Sequence, residues 1–539
     1  MELRHIGSTR LRPIARSSSG FVVLLVALYL AAGVLATWPA VEHARDHFLA
    51  GGAPGHGEAA AGDHLQTGYR LWLVGHQLEH GAAPWRDPYT FRPELGPQLN
   101  PAGWPFGLPY WPLAAVLGTV LAWNAFILLT YLAAGAFTFL WLRELELGRG
   151  AALVGGLAFA LAPYRVQQST GHLLGPISML LPLALWAWER GRRGSAWWHV
   201  LAGASLASIP LSGQVHLALG AIPFFFLYAV CRTRERRPLI GAAAIAVAAI
   251  AAGVVVDRTV IAHSLEAAAG RSLAEVTFYS ADWQDLVTRH QRHGSESFVL
   301  LGWVLPLLAL AGLVLTRRRG LAIALGVGAV APVLLALGTN LPLYSWVWHH
   351  FPPLRYPRVP ERLVPIACLS IAALAAIAIE RLRIPALLAV VVVAVDLHVR
   401  IYGASDAGPG QDAYAAIDGP GRLLELPVLT PDVHLGGVYY LYDMKALRER
   451  PGGYSTLAPR RADEVARSLQ PLNTGDWSRN RAGRLSDLGV RFVAVHEGIY
   501  EQTRRLRPSD ATSAERALVA HGWKLIGRDG AVKVYAAPA

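Results

Sequence analysis

The sequence has 539 residues, of which 53% are hydrophobic and 16% charged, and its mean hydropathy is positive at +0.34. A soluble globular protein of ordinary composition is less apolar, so most of this chain is expected to lie in lipid. The formal net charge of +12 comes largely from arginines at the ends of apolar segments. That pattern is typical of membrane topology and argues against nucleic-acid binding.

The N-terminus combines basic residues with an apolar segment over residues 20–36, as a signal peptide does, and residues 36–40 loosely suggest a cleavage site. The apolar segment is long for a cleavable peptide, and many more such segments follow. We therefore expect an uncleaved first helix with the N-terminus in the cytoplasm.

Apolar segments near the roughly 20 residues needed to cross a ~30 Å hydrocarbon core recur along most of the chain. The sequence therefore predicts a polytopic α-helical membrane region over residues 1–400 and a soluble C-terminal domain over residues 401–539. The candidate spans are 20–38, 104–122, 123–143, 150–164, 172–189, 196–213, 214–231, 238–256, 298–316, 320–337, 361–379 and 384–400.

Basic clusters predict the orientation, because Lys and Arg concentrate in short cytoplasmic loops. The clusters are 190–193, 232–237, 317–319 and 381–383. Placing them in the cytoplasm puts loops 257–297 and 338–360 and the C-terminal domain outside, in a multi-pass plasma-membrane protein. The alternation requires one upstream segment not to cross. The prolines of segment 104–122 favour that segment as re-entrant or surface-bound, which leaves about 11 transmembrane helices.

The first outer loop, residues 41–103, contains an acidic residue, Asp63, just before a predicted interfacial helix over residues 64–80. Gln66, Arg70 and Gln77 share one face of that helix. One interpretation of Asp63 is an N-cap that binds the amides of the first turn. The other is an acidic group at the water boundary that acts on a lipid-borne substrate.

A second polar strip, residues 163–172, lies between two apolar segments on the same predicted side. Arg165 and His172 can flank a pocket there, with Arg165 meeting a phosphate. The alternatives are that Arg165 extends to lipid headgroups and that His172 caps a helix.

Loop 257–297 carries the spacings Asp-x-x-Asp and His-x-x-His followed by an acid, which would bring metal ligands together if the segment were helical. The alternative is an ordinary solvated loop. The residues are Asp282, Asp285, His290, His293 and Glu296.

Arg355, Arg358 and Arg362 surround the start of a predicted span, with Pro360 suited to its first turn. Guanidinium groups at a helix N-terminus form a suitable cradle for a phosphate or pyrophosphate. Anchoring to lipid headgroups is the alternative. The sequence contains no nucleotide-binding loop and no common hydrolase motif, which disfavours nucleotide-driven transport.

The C-terminal domain is predicted to be a small α/β domain. Strands are predicted at 422–428, 437–442 and 491–496, and a closing hairpin over 523–535 turns at Asp529-Gly530. Helices are predicted at about 460–471 and 512–521. The domain carries no catalytic motif of its own and could cover the membrane site or bind an acceptor.

The order of several short motifs resembles the polytopic membrane glycosyltransferases of the C superfamily (GT-C), in particular bacterial members with a C-terminal extracytoplasmic domain. The motifs are Gly62-Asp63-His64-Leu65-Gln66-Thr67, Pro84-Trp85-Arg86-Asp87-Pro88-Tyr89, Asn100-Pro101, Pro163-Tyr164-Arg165, Gly171-His172, Ser295-Glu296-Ser297, Arg358-Val359-Pro360-Glu361-Arg362, Leu424-Glu425-Leu426-Pro427 and Leu488-Gly489-Val490-Arg491-Phe492.

This resemblance implies transfer of a sugar from a polyprenyl-phosphate carrier to a glycan, lipid or protein acceptor on the extracytoplasmic face. It implies that Asp63 acts as the catalytic base or stabilises the reacting centre, and that a single displacement inverts the anomeric carbon. Asp87, Glu94 and Glu296 are candidates for a second acidic position, and a divalent cation is a possible cofactor with no metal ligand assigned. The expected substrate-binding residues are His64, Asp87, Arg165, His172, Glu296, Arg355, Arg358 and Arg362.

Two other functions are compatible with the same features. One is a transporter or flippase of lipid-linked glycans, and the other is a non-catalytic envelope assembly factor. Substitution of Asp63 by Asn separates them from a transferase, because only a transferase needs the carboxylate for product formation.

Overall fold

The computed structural model describes residues 19–264, 272–290, 298–355, 359–409 and 411–538. A helical region extends to Leu397, and a mixed region of strands and shorter helices follows it. The helices are α1 Ser19–Thr37, α2 Asp63–Glu79, α3 Gly107–Glu144, α4 Arg149–Ala160, α5 Pro163–Gln168, α6 Leu174–Ile177, α7 Leu180–Gly191, α8 Trp197–Leu211, α9 Val215–Arg232, α10 Arg236–Thr259, α11 Leu273–Tyr279, α12 Val304–Leu315, α13 Arg319–Ala336, α14 Pro342–His350, α15 Val364–Leu382, α16 Ala386–Leu397, α17 Asp412–Ala415, α18 Gly437–Asp443, α19 Arg460–Leu469, α20 Arg479–Asp487, α21 Glu497–Gln502 and α22 Pro508–Ala520.

Six helical segments within the described ranges are long and apolar enough to cross a membrane. They are Ser19–Thr37, Gly107–Glu144, Val215–Arg232, Arg236–His263, Arg319–Ala336 and Pro360–Leu382, and three shorter apolar helices are Arg149–Ala160, Val304–Leu315 and Ala386–Leu397. The predicted segment 172–189 is divided between α6 and α7 rather than forming one helix.

The predicted segments 104–122 and 123–143 belong mostly to one element, α3, which is broken at Gly118. Gly118 has φ 73° and ψ 179°, a conformation that side chains with a Cβ rarely adopt. The part of α3 before the break has only the length of a few turns. Segment 104–122 is therefore not a separate helix of spanning length.

Helix α15 lies at the centre of the bundle, since every residue from Val364 to Ile379 is buried. It packs against α4, α12 and α13. Small residues make this packing close: a Cβ at Gly312 in α12 would overlap the carbonyl oxygen of Leu374 in α15. A helix that is apolar on all sides is expected at such a central position.

The first loop and the C-terminal region lie on the same side of the bundle, because they share a sheet. Strand β1 (His47–Ala50) pairs antiparallel with β4 (Gly403–Asp406), and a short hairpin in the loop joins β2 (Arg86–Asp87) to β3 (Gln98–Leu99). Helix α2, predicted at 64–80, is confirmed, and it packs between α3 and α18.

The C-terminal sheet has four strands in the order β5-β6-β8-β7. They are β5 Arg422–Leu426, β6 Val490–His496, β7 Lys524–Asp529 and β8 Val532–Ala536. Strands β5 and β6 are parallel, and the other pairs are antiparallel. The predicted strands at 422–428 and 491–496, the hairpin at Asp529-Gly530 and the helices near 460–471 and 512–521 are confirmed.

The predicted strand at 437–442 is wrong, because these residues form α18. The tyrosines that suggested a strand are buried in a helix instead. Tyr439 donates to the carbonyl oxygen of Pro427 (2.7 Å), and Tyr440 stacks on Tyr69 of α2 with ring centroids 4.4 Å apart. Aromatic preference for strands is context-dependent, and here packing against α2 outweighs it.

A fully buried polar chain fastens the sheet to the first loop. Glu58 and His496 are both 0% exposed, and Glu58 Oε2 lies 2.6 Å from His496 Nδ1. The other ring nitrogen of His496 lies 2.9 Å from the hydroxyl of Tyr414. Buried charged groups are usually paired, and this pairing fixes the end of β6 against the loop that precedes α2.

Candidate functional site

Asp63 is the first residue of α2, but it does not cap the helix. Gly62 occupies the N-cap position, and no side chain bonds the first-turn amides there. The carboxylate of Asp63 binds two other side chains instead: Oδ2 lies 2.9 Å from His172 Nε2, and Oδ1 accepts a 2.6 Å hydrogen bond from the Tyr454 hydroxyl. The capping interpretation is therefore wrong, and the carboxylate is directed into a cavity.

His172 is oriented by Gln168, the last residue of α5. The Gln168 amide donates to Gln167 Oε1 (2.6 Å), which leaves Gln168 Oε1 facing His172 Nδ1 at 2.8 Å. His172 Nδ1 thus faces the Gln168 amide oxygen, and Nε2 faces the Asp63 carboxylate. Asp63 and His172 form a hydrogen-bonded pair.

Tyr454 comes from the C-terminal region and is fixed by its main chain. Its carbonyl oxygen accepts from Gln66 Nε2 (2.6 Å) and from the Tyr440 hydroxyl (2.7 Å), while its amide donates to the same hydroxyl (3.0 Å). Since Gln66 belongs to α2 and Tyr440 to α18, Tyr454 is positioned by both sides of the interface. Its hydroxyl donates to the Asp63 carboxylate.

The Asp63 carboxylate borders a cavity of about 210 Å³. Its walls come from α2, from the segment after α5, from the turn between α8 and α9, and from residues 454–457. The polar side chains that line it are Asp63, Gln66, Thr67, Arg70, Gln168, His172, Ser212, Gln214, His216, Arg362, Tyr454, Ser455 and Thr456.

The surroundings of Asp63 favour its ionised form. Burial by itself raises the pKa of the Asp63 carboxyl, but the hydrogen bond and charge of His172, the hydrogen bond from Tyr454 and the charge of His434 together hold that pKa below its ordinary value. Burial and the adjacent Asp63 carboxylate raise the pKa of the Tyr454 hydroxyl, so it stays a donor. We therefore expect Asp63 to be a carboxylate, and Tyr454 a neutral hydroxyl, at neutral pH.

Two arginines line the same cavity. Arg70 extends from α2, and its Nη2 donates to Ser455 Oγ at 3.0 Å. Arg362 lies in the 3-10 turn Pro360–Leu363 that leads into α15. Guanidinium groups bind phosphate oxygens through paired donors, so the cavity combines a carboxylate with cations suited to an anionic group.

His64 follows Asp63 but faces away from the cavity. It is 3% exposed and packs against Phe48 and Trp123, with ring centroids 5.1 and 6.2 Å away. Burial lowers the pKa of His64 to about 4, although the nearby Asp63 charge acts in the opposite direction. A neutral histidine in an aromatic environment supports the start of α2 rather than lining the site.

Arg165 is also inside the protein, at 0% exposure. Its guanidinium donates to the carbonyl oxygens of Ala160 (3.1 Å) and Thr130 (2.8 Å) and lies over the ring of Tyr131. The structure therefore does not bring Arg165 to the cavity with His172. Its contacts join α3 to the end of α4.

Asp87 and Arg355 serve local structure. Asp87 accepts from the amides of Tyr89 and Thr90 and from the Thr90 hydroxyl, and it borders a second cavity of about 90 Å³ that shares Arg70 with the first. Arg355 donates to the carbonyl oxygens of Trp348 and His349 at the end of α14. Glu94 is paired with Arg461 and Arg484 of the C-terminal region.

Glu296, Arg358 and His293 lie outside the described residues. Within the described ranges, no group of three or more His, Cys, Asp or Glu side chains is arranged to hold a metal ion. Asp282 and Asp285 contribute to a capping arrangement, in which the Asp282 amide donates to Asp285 Oδ2 at 2.7 Å. Asn340 donates to Asp282 Oδ1 at 3.1 Å.

Of the predicted site residues, the structure places Asp63, His172 and Arg362 around one cavity. Tyr454 was missed, because the motif Gly452-Gly453-Tyr454-Ser455 in a C-terminal loop carries no local sign of contact with the first loop. Gln66 and Arg70 were signalled by their common helix face, and that face is the one turned toward the cavity.

No protein-family model matches the sequence, and no curated protein matches it. Solved structures do match along nearly the whole chain. The fold of this chain is similar to those of two solved transferase structures.

The chain is similar to the arabinofuranosyltransferase AftD from Mycobacteria, with a TM-score of 0.60, 16% sequence identity and coverage of 97% of this chain and 40% of that one. It is also similar to the oligosaccharyltransferase AglB from Archaeoglobus fulgidus in complex with an inhibitory peptide and a dolichol-phosphate. There the TM-score is 0.51, the identity 11%, and the coverage 97% and 75%. This chain thus spans about two fifths of the length of AftD, and the similarity is one of fold.

Proposed function

We propose that this protein is a membrane glycosyltransferase that transfers a sugar from a polyprenyl-phosphate carrier to an acceptor hydroxyl, with Asp63 as the catalytic base. The observation that supports the proposal is the position of the Asp63 carboxylate, which is hydrogen-bonded to His172 and Tyr454 and borders a cavity lined by arginines. The similarity in fold to two solved transferases supports the same reaction class.

The reaction is a single displacement. The acceptor oxygen attacks the anomeric carbon, the bond from that carbon to the phosphate oxygen breaks, and polyprenyl phosphate leaves with the bonding electron pair. The acceptor hydroxyl becomes acidic as the new bond forms and passes its proton to Asp63. Each carboxylate oxygen retains a lone pair after binding His172 or Tyr454, so Asp63 can still accept that proton.

Arg70 and Arg362 are proposed to bind the phosphate of the donor. The leaving phosphate gains negative charge as the glycosidic bond breaks, and guanidinium donors stabilise that charge more as it develops. Arg70 is held near the cavity by Ser455, so it is in place before the substrate binds. A lipid phosphate as the carrier is consistent with the structure of AglB, which has a similar fold and contains a dolichol-phosphate.

The shared sheet between the first loop and the C-terminal region supports placing both on the same side of the membrane. We assign residues 1–400 to the membrane domain and 401–539 to an extracytoplasmic domain, with the N-terminus in the cytoplasm of a plasma-membrane protein. Acceptors from outside the membrane then reach Asp63 from the side on which Tyr454 lies.

The test uses the purified full-length protein in detergent with radiolabelled polyprenyl-phosphate sugars and a panel of glycan, lipid and peptide acceptors. We expect transfer by the wild-type protein and by Asp46→Asn, an exposed aspartate of the same loop, and loss of transfer by Asp63→Asn. The absence of transfer across the panel would contradict the proposal. Movement of lipid-linked glycan across vesicles without product would identify a transporter instead.

A further inference from the structure

The largest of the cavities described near the site lies in the C-terminal region and is separate from Asp63. It has a volume of about 940 Å³, compared with about 210 Å³ for the cavity at Asp63. Its walls are formed by the segment after β5, the end of α19 and the turn after α21. We refer to it as the tail cleft, defined by residues 428–435, 467–473 and 502–506.

The tail cleft is basic. Arg467, Arg504 and Arg505 line it together with a single acidic side chain, Asp432. Arg467 is paired with Asp463 at 2.7 Å, whereas the salt bridges of the described residues include none for Arg504 or Arg505. Both arginines are exposed at a turn, so their charges are available to a ligand. Val428, Leu429 and Leu506 add apolar surface to the same walls.

The tail cleft adjoins the site through one short segment. His434 and Leu435 line the cleft, and Gly436 and Gly437 are the next two residues of the chain. A Cβ at Gly436 would lie 3.3 Å from Tyr454 Cβ, and one at Gly437 would lie 3.1 Å from the carbonyl oxygen of Gly62, the residue before Asp63. The amide of Ser455 also donates to the carbonyl oxygen of Pro431 at 2.8 Å. A ligand in the cleft would therefore be separated from the cavity at Asp63 only by the segment that contains Gly436 and Gly437.

We propose that the tail cleft binds the acceptor, and that the acceptor is an anionic glycan carrying carboxylate or phosphate groups. This inference rests on the glycosyltransferase function proposed above. The cavity at Asp63, at about 210 Å³, is smaller than the roughly 300–1,000 Å³ of typical ligand pockets, so an acceptor that extends beyond the reacting sugar needs a second surface. The unpaired arginines select negative charge, and the apolar wall accommodates sugar faces.

The test measures binding without a donor, so that it does not depend on catalysis. Fluorescently labelled hexagalacturonate provides carboxylates, an oligomer of glycerol phosphate provides phosphates, and maltohexaose is the neutral control of matching length. Anisotropy with purified full-length protein compares wild type, R504Q/R505Q, R504K/R505K and R479Q/R516Q. The last variant removes two exposed arginines of the same domain outside the cleft.

We expect at least one anionic probe to bind and the neutral probe not to bind. R504Q/R505Q should bind about tenfold more weakly, while R504K/R505K retains part of the affinity and R479Q/R516Q retains all of it. No binding of either anionic probe by the wild type, equal binding of the neutral probe, or equal loss in R479Q/R516Q overturns the proposal.

The binding and transfer assays distinguish an error in the proposed role of the tail cleft from an error in the proposed transferase function. Asp63→Asn should lose transfer but keep binding of the anionic probe, because its carboxylate lies outside the cleft. In the transfer assay, R504Q/R505Q should raise KM for the acceptor with little change in kcat. If the wild type binds an anionic probe but transfers no sugar, the transferase function alone is contradicted. If R504Q/R505Q transfers sugar with an unchanged KM for the acceptor, acceptor binding by the tail cleft is contradicted.

Discussion

Tyr454 donates a 2.6 Å hydrogen bond to Asp63 across 391 positions of sequence. The carboxylate belongs to the first loop and the hydroxyl to the C-terminal region, so neither part contains the complete site. The two regions are also joined by the β1–β4 pairing and by the buried contact of Glu58 with His496. The C-terminal region is thus a part of the candidate site rather than an appended domain.

Replacement of Tyr454 by Phe should move the acidic limb of the pH–activity profile. The hydroxyl lowers the pKa of Asp63, so its loss raises that pKa. In the proposed mechanism activity requires the carboxylate and is lost as pH falls through its pKa, so the acidic limb shifts to higher pH. The measurement is kcat/KM against pH. Tyr500→Phe, which removes another buried hydroxyl of the same region, should leave the limb in place.

Replacement of His172 should reduce the rate of transfer, and the loss should be smaller when the new side chain can donate a hydrogen bond to Asp63. His172→Phe removes a charge-assisted hydrogen bond of about 1.5–3 kcal/mol, which corresponds to roughly a ten- to hundredfold loss of rate if the bond is needed in the transition state. His172→Gln can still donate to Asp63 and should recover part of the rate. Equal rates for both variants would show that the donor is not required.

Replacement of Gly171 by Ala should disturb the site with little effect on the rest of the fold. A Cβ at this position would lie 3.1 Å from the His64 amide nitrogen and 3.2 Å from Asp63 Cβ, which displaces the start of α2. Overpacking of this kind costs about 1–3 kcal/mol. Transfer should fall in Gly171→Ala but not in Gly194→Ala, whose added Cβ meets its nearest neighbour at 3.6 Å.

Replacement of Glu58 by Ala should loosen the C-terminal region. It leaves His496 buried without its carboxylate partner, and breaking a buried pair from one side costs about 3–5 kcal/mol. Thermal unfolding and limited proteolysis measure the effect. The control is Glu501→Ala, since Glu501 contacts His56 at the surface, where such pairs contribute about 0–1 kcal/mol. Equal stability of the two variants would contradict the role of the buried pair.

Much of the fold could be predicted from the sequence, because its signals are local. Long apolar segments predicted the helices α1, α9, α10, α13 and α15, and the Asp529-Gly530 turn predicted the last hairpin. The predictions failed where tertiary contacts determine the secondary structure. Residues 437–442 have strand composition, yet stacking of Tyr440 on Tyr69 stabilises a helix there.

The candidate site could be predicted only in part, because some of its residues have local sequence signals and others do not. Asp63 and the polar face of α2 were visible as a helix start and a helix period, and His172 as a polar residue between apolar segments. Their grouping depends on contacts between distant segments. Arg165 shows the opposite case, because the same polar strip that carries His172 directs Arg165 into the interior, where backbone carbonyl oxygens of α3 and α4 bind it.

The decisive measurement for the role of Asp63 as base is the rate of sugar transfer by Asp63→Asn at saturating donor and acceptor. We expect a rate lower than wild type by about 10²–10⁴-fold, as expected for loss of a general base. The melting temperature should equal that of the Asp46→Asn control, and donor binding should be retained. A variant that folds, binds donor and transfers sugar at the wild-type rate would contradict the role of Asp63 as base.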